Sequence, residues 1–155
     1  SIGREPAWPL DGRPAGRLLN AGELHAMHDA GMEIGSHTVS HVRLTAADDI
    51  RLKNELTRSK AELEDILGRQ VDSFAYPYGA WDRRCVDAVR NAGYAAACTT
   101  RTGWALRDND PFLLRRLTVF NVDTVGTLAR KLYFGGHDVR WRDMARYALR
   151  RARRT

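Results

Sequence analysis

Cysteine is scarce in this 155-residue chain: Cys85 and Cys98 stand alone and match no metal or redox spacing. Both read as packing residues, and two of them in a chain of this size report no redox compartment. Long apolar runs are missing too, and nothing approaches the ~20 residues needed to cross a bilayer. No signal peptide is visible, but the chain opens on Ser1 rather than Met, so that absence says little about location. No internal repeat and no low-complexity tract is found. An excess of basic charge is missing from most of the chain. Residues 1–139 carry 18 basic and 18 acidic side chains, and the whole net charge of +6 comes from seven arginines between Arg140 and Arg154 against Asp143. A nucleic-acid groove needs a basic stripe across the body, so that class is excluded there.

What is present is the composition of a globular domain, 43% apolar and 28% charged, with enough length for a core. Residues 1–19, with Pro6, Pro9, Gly12, Pro14 and Gly16, read as loop. Asn20 with Glu23 is a capping-box pair and Gly31 a stop, which predicts a helix over 21–30. Met32 to Gly35 reads as a short strand. Thr45 with Asp48 opens a second helix, with Leu52, Leu56 and Leu63 among its apolar positions and Gly68 at its end. Asp72 to Tyr76 reads as a strand stopped by Pro77. Asp82 caps a third helix closed by Gly93, Tyr94 to Thr99 and Leu117 to Phe120 read as further strands, and Asp123 caps another helix. Residues 139–153 form a last, basic helix. Helix alternates with short apolar strands, the pattern of a parallel sheet covered by helices, in open or barrel form. Chemistry in such folds collects at the C-terminal ends of strands.

Two unusual segments sit at such ends. His37 and His41 are four residues apart, and on a helical turn their rings share one face within reach of one metal ion. Thr38 and Ser40 between them could serve as supporting donors or acceptors. The competing reading is two surface or capping histidines, since a zinc site needs at least three protein ligands. Tyr76-Pro77-Tyr78-Gly79 is a rigid turn. It is either a plain strand-to-loop corner, or a device in which Pro77 and Gly79 aim the Tyr78 amide at a developing oxyanion while the rings form a sugar platform. Trp81 and Trp104 follow strand ends and read equally as sugar-stacking or buried rings. His25 and His28 lie on the first helix, where a satisfied, half-buried histidine is the simpler reading. Arg116 reads as an ion-pair partner near the site mouth. In the basic tail, Trp141, Tyr147 and Leu149 suit either an anionic membrane surface or a solvated helix end.

Gly31 to His41, Glu55-Leu56, Ser59-Lys60, Leu63, Phe74 to Gly79, Ala92-Gly93-Tyr94 and Leu114 to Leu117 resemble, in order and spacing, the polysaccharide deacetylases. These are also called NodB-homology domains or family 4 carbohydrate esterases. The resemblance covers roughly residues 18–120. It implies a partial, distorted (β/α) barrel over residues 1–122, followed by a helical basic extension over 123–155. It also implies a divalent metal, usually zinc, and removal of N-acetyl groups from an amino-sugar glycan. His37 and His41 match the metal-binding histidines, and Tyr78 matches the residue whose amide meets the oxyanion. Tyr76, Trp81 and Arg116 become candidates for substrate contact, and a cell-envelope or extracytoplasmic setting is expected.

Three departures accompany the resemblance. The family's Asp-Asp pair, source of the general base and the third metal ligand, has no counterpart before His37, because Asp11 sits in a Pro/Gly loop and Asp29 on a helix. Ala75 and Tyr76 stand where many members carry an arginine, as in an exopolysaccharide-type subgroup. No histidine lies in Leu117 to Phe120, where the family's catalytic acid is expected, and His137 is not assigned that role. The expectation is therefore an N-terminally truncated, inactive portion of an enzyme, with a non-catalytic glycan-binding relic as the alternative. Cobalt, nickel and iron suit two histidines plus a carboxylate as well as zinc does.

Overall fold

The computed structural model describes residues 2–6 and 16–136. Asp11, most of the opening loop, His137 and the expected basic helix lie outside the described residues. Helix α1 spans Ala21–Asp29, with Asn20 Oδ1 accepting from the Glu23 amide at 3.0 Å and the Glu23 carboxylate accepting from the Asn20 amide at 2.9 Å. Helix α2 spans Asp49–Leu67. Its N-cap is Asp48, which accepts from the Arg51 amide at 2.8 Å, and left-handed Gly68 ends it. Strand β1 is Ser73–Ala75, helix α3 is Arg83–Asn91 capped by Asp82, and strand β2 is Ala96–Thr102. Strand β3 is Leu114–Arg116 and helix α4 is Val125–Phe134.

The three strands form a parallel sheet in the order β1-β2-β3, with Phe74 opposite Ala97 and Cys98 opposite Leu114. This is the expected α/β arrangement of parallel strands flanked by helices. Leu52, Leu56 and Leu67 of α2 and Cys85, Val86 and Val89 of α3 are buried together with Phe74, Tyr76 and Tyr94. The apolar stripes at helical spacing therefore face a sheet whose strands are too apolar to meet water. Arg84 ties α3 to α2, donating to Asp49 and to the Ala47 carbonyl at 2.8 Å each.

Several expected elements are displaced. Met32 to Gly35 is not a strand. A single parallel bridge, Ser36 to Phe74, joins that segment to β1 through Ser36 N–H to Ser73 O at 2.8 Å and Ala75 N–H to Ser36 O at 2.9 Å. Leu117 to Phe120 is not a strand either, with Val119 62% and Phe120 50% exposed. The strand lies just before it, anchored by Arg115, which forks onto Asp108 at 2.7 and 2.8 Å. Thr45 lies in a short 3-10 turn rather than at the cap of α2. Thr124, not Asp123, caps α4 through a capping box with Thr127, while Asp123 accepts from Phe120 N–H at 2.7 Å and pairs with buried Lys131. For Asp123 and for the strand at Leu114–Arg116, a partner outside the local window, Lys131 and Asp108 respectively, displaces a locally plausible choice. Among the described residues no helix is long and apolar enough to cross a membrane.

Candidate functional site

His37 and His41 come together at the end of the sheet, with ring centroids 4.9 Å apart and planes inclined at 66°. They do so without the helical turn that their spacing suggested. Residues 37–41 form an irregular loop in which Thr38 (φ 70°) and His41 (φ 55°) are left-handed. The Thr38 hydroxyl accepts from the His41 amide at 3.0 Å. The carboxylate of Glu55, on the buried face of α2, accepts from the amides of Val39 and Ser40 at 2.9 Å each and from the Ser40 hydroxyl. Sequence reasoning gave Glu55 no role. The available signal was a carboxylate three residues after Leu52 and next to Leu56, on an apolar stripe where a charge needs partners.

His37 Nδ1 lies 2.6 Å from the Ala75 carbonyl oxygen at the end of β1. A carbonyl only accepts, so Nδ1 carries the proton and Nε2 keeps its lone pair. That is the tautomer a metal-ligating histidine needs. The His37 ring is held below the ordinary histidine pKa, by loss of hydration first and then by the nearby charges of His41 and Arg116, with the Ala75 bond opposing. Burial lowers His41 as well. Both shifts favour the neutral, ligating form. Among the described residues no cluster of three His, Cys, Asp or Glu side chains is arranged to hold a metal ion. The pair thus fits as two of the ligands that such an ion requires.

The Tyr-Pro turn lies beside this pair. The Tyr78 ring meets His41 edge-on at 4.7 Å, and the Arg43 guanidinium sits 4.8 Å from the centre of the same ring. Pro77 is buried at the first position of a 3-10 turn, Pro77–Gly79, inside which Tyr78 is left-handed at φ 59°. The amides of Gly79 and Ala80 bond back to Tyr76 O and Pro77 O at 2.9 and 3.1 Å. The Tyr78 amide, earlier in the turn, has no acceptor within it. Tyr78 as a whole is 51% exposed.

Tyr76 is placed differently from expectation. It is 1% exposed and packs edge-on against Phe74 at 5.4 Å, so its ring offers no open face to a sugar. The alternation of side chains along an extended segment sends Tyr76 into the core, and the sugar-platform role expected of it is corrected on that ground. Its hydroxyl is buried with no hydrogen-bond partner among the described residues, and burial raises its pKa. The expected result for Tyr76→Phe is therefore a neutral change or a gain of about 1 kcal/mol in urea unfolding, because a desolvated hydroxyl is removed with no bond lost. A loss of that size instead would show that the hydroxyl has a partner.

Trp81 is half-buried against the core. Arg116 lies close enough to His37 to affect its titration, but its Nε–H bonds the Thr99 carbonyl at 2.7 Å. Arg115, its neighbour, holds the ion pair expected there. Cys85 is buried and its thiol is pushed up to about 11, mainly by burial, as suits an inert packing residue. His28 is half-buried and accepts from Arg69 at 3.2 Å. Trp104, 55% exposed, donates its indole N–H to Leu132 O of α4 at 2.9 Å.

The polysaccharide deacetylase family profile matches residues 13–97. YxkH of Bacillus subtilis strain 168, named as a polysaccharide deacetylase, is 28% identical over 101 residues, covering 65% of this chain and 36% of its own length. BC0361, a polysaccharide deacetylase from Bacillus cereus, superposes with a TM-score of 0.67 at 28% identity, over 75% of this chain and 37% of that one. The Streptococcus pyogenes deacetylase PplD, solved with acetate, shares the fold at a TM-score of 0.71 and 24% identity, over 74% of this chain and 51% of that one. The chain therefore spans between about a third and a half of the length of these relatives.

Proposed function

The chain belongs to the polysaccharide deacetylase family, and from that premise we propose that it is part of a metal-dependent hydrolase removing N-acetyl groups from an amino-sugar polysaccharide. The observation that carries this reading is the stack of His37, His41 and Tyr78 at one end of a parallel sheet, with His37 locked in its ligating tautomer. His37 and His41 would hold a divalent ion, zinc in the simplest case, through neutral imidazole nitrogens. Such an ion, when bound, polarises an amide carbonyl and lowers the pKa of its water. The Tyr78 amide is assigned to the oxyanion that forms on attack, because Pro77 and the Gly79 turn fix its direction before any substrate arrives. The exposed Tyr78 ring, braced by Arg43, is assigned to the face of a sugar, with Trp81 and Arg116 at the margin.

The general base and an anionic third ligand are assigned to the family's Asp-Asp pair, which has no counterpart before His37; Asp48 and Asp49 are instead engaged as the cap of α2 and the partner of Arg84. Two neutral imidazoles give a cation little to hold it, and an unassisted water must lose its proton to solvent. A positioned base is worth ~10²–10⁴-fold in rate. A non-catalytic glycan-binding role is the second reading, favoured by the absence of a third ligand among the described residues. The arginines beyond Val139 are proposed to meet an anionic membrane surface at the cell envelope, with a solvated helix end as the simpler alternative, and the neutral body is proposed to bind no nucleic acid.

The test is acetate release from an N-acetylglucosamine oligomer with added zinc. The 155-residue chain is expected to show none above background. A longer form carrying the Asp pair upstream is expected to turn over and to lose that activity on His37→Ala. Turnover by the 155-residue chain itself, abolished by His37→Ala, would place the missing carboxylate within it and overturn the fragment reading. No turnover by the longer form would favour the binding role.

A further inference from the structure

We propose that Glu55 is the positioning residue of the histidine pair: its buried carboxylate holds the 38–41 loop in the one conformation that brings the His37 and His41 rings together. The inference rests on reading those two histidines as metal ligands. Left-handed backbone at residues other than glycine persists only where the surroundings over-determine it, and Thr38 and His41 are both left-handed within four residues. Inside the loop the Thr38 hydroxyl accepts from the His41 amide at 3.0 Å, which ties the two ends of the segment but does not attach it to the sheet. Glu55 anchors it to α2, because one of its carboxylate oxygens takes two successive amides, Val39 and Ser40, at 2.9 Å each, while the other takes the Ser40 hydroxyl.

Each of these bonds is sheltered from water, Glu55 being only 8% exposed. Leu52 and Leu56 on either side are at most 2% exposed and seat this stretch of α2 firmly in the core. One turn further on, the Ser59 hydroxyl, which bonds Leu56 O, receives a bond from Ser36 Oγ at 2.8 Å. Helix α2 is thus attached on both sides of His37, at Ser36 before it and at Val39 and Ser40 after it. The loop takes its shape from a rigid helix as well as from its own Thr38–His41 bond. A supporting shell of this kind typically accounts for 10–100-fold in metal affinity without touching the metal.

The experiment titrates zinc into the full chain and follows the His37 and His41 ring resonances by NMR, with amide exchange at Val39 and Ser40 measured in the metal-free protein. Glu55→Ala is expected to speed exchange at both amides and to weaken zinc binding at the pair by ~10-fold or more. Glu55→Gln keeps the length and a carbonyl oxygen that can take both amides, with an NH2 group to meet the Ser40 hydroxyl. It is therefore expected to stay near the wild type in both readouts. Leu67→Ala, at the far end of α2, controls for stability, since it should lower Tm while leaving both readouts unchanged.

Three results would overturn the inference in distinguishable ways. Unchanged zinc affinity in Glu55→Ala, with affinity lost in His37→Ala, removes the role of Glu55 and leaves the metal reading standing. Equal weakening in Leu67→Ala reduces the effect to global stability. Zinc that perturbs neither ring, in this chain or in a longer form that carries the Asp pair, removes the metal reading, and the inference with it.

Discussion

Gly79→Ala is expected to destabilise the chain by about 3 kcal/mol or more, the sum of two separate costs. A Cβ at this position would lie 2.0 Å from Thr100 Oγ1 and 2.7 Å from both Thr100 Cβ and Cγ2. Rotating the threonine cannot relieve this, because its Cβ is fixed to strand β2. Forcing extra volume into a packed contact costs ~1–3 kcal/mol. Gly79 is also left-handed at φ 64°, where an added side chain costs roughly 1–2 kcal/mol more. Urea unfolding measures the total. The double variant Gly79→Ala/Thr100→Ala should recover part of the clash and none of the backbone cost. A single-variant loss below ~1 kcal/mol would mean that the turn relaxes freely, contrary to a rigid amide at Tyr78. In a form of the protein that turns over, the same substitution should reduce kcat more than it raises KM, because the Tyr78 amide is assigned to the transition state.

Phe74→Ala is expected to cost ~3–5 kcal/mol, a large share of the ~5–15 kcal/mol that holds a typical domain together. Phe74 is 2% exposed, at the centre of the three-residue strand β1, and its ring lies 5.4 Å from Tyr76 and 5.2 Å from Tyr94. Removing it leaves a cavity between two large buried aromatics, Tyr76 just after β1 and Tyr94 just before β2, which packing on the sheet keeps from closing over it. The same residue pairs with Ala97 on β2 and bridges Ser36. The loss should therefore spread to the Ala75 carbonyl that orients His37. Thermal unfolding followed by the aromatic circular dichroism signal reads the stability. The His37 ring resonance in conditions where the variant stays folded reads the spread. A Tm within a few degrees of wild type would show that Phe74 is not central to the core.

Much of the scaffold was legible because its signals are local. Asn20 with Glu23, Asp82, and the glycines at 31, 68 and 93 mark helix ends through bonds and backbone angles that involve only near neighbours. The apolar strand runs of Asp72 to Tyr76 and Tyr94 to Thr99 likewise call for a sheet buried on both faces. Legibility failed where the competing partner is distant. Asp123 has the chemistry of an N-cap, but buried Lys131 claims its carboxylate and Thr124 caps α4 instead. Leu117 to Phe120 has the composition of a strand, yet pairing with β2 selects Leu114–Arg116, where Arg115 reaches Asp108.

The candidate site divides in the same way. Sequence alone determined which residue types could do the chemistry: two histidines four apart, a proline-locked turn around Tyr78, and the order of segments that identifies the family. It also determined that the body is electrically neutral, because charge counts need no coordinates. Tertiary structure alone decided how the parts meet. The histidines converge through a loop braced by Glu55 from 15 and 16 residues away, not through the helical turn suggested by their spacing. The two tyrosines of one turn part company, Tyr78 outward beside His41 and Tyr76 inward against Phe74. The physical reason is that capping and turn preferences depend on a few adjacent backbone angles, whereas burial and hydrogen-bond satisfaction depend on which distant surface arrives opposite.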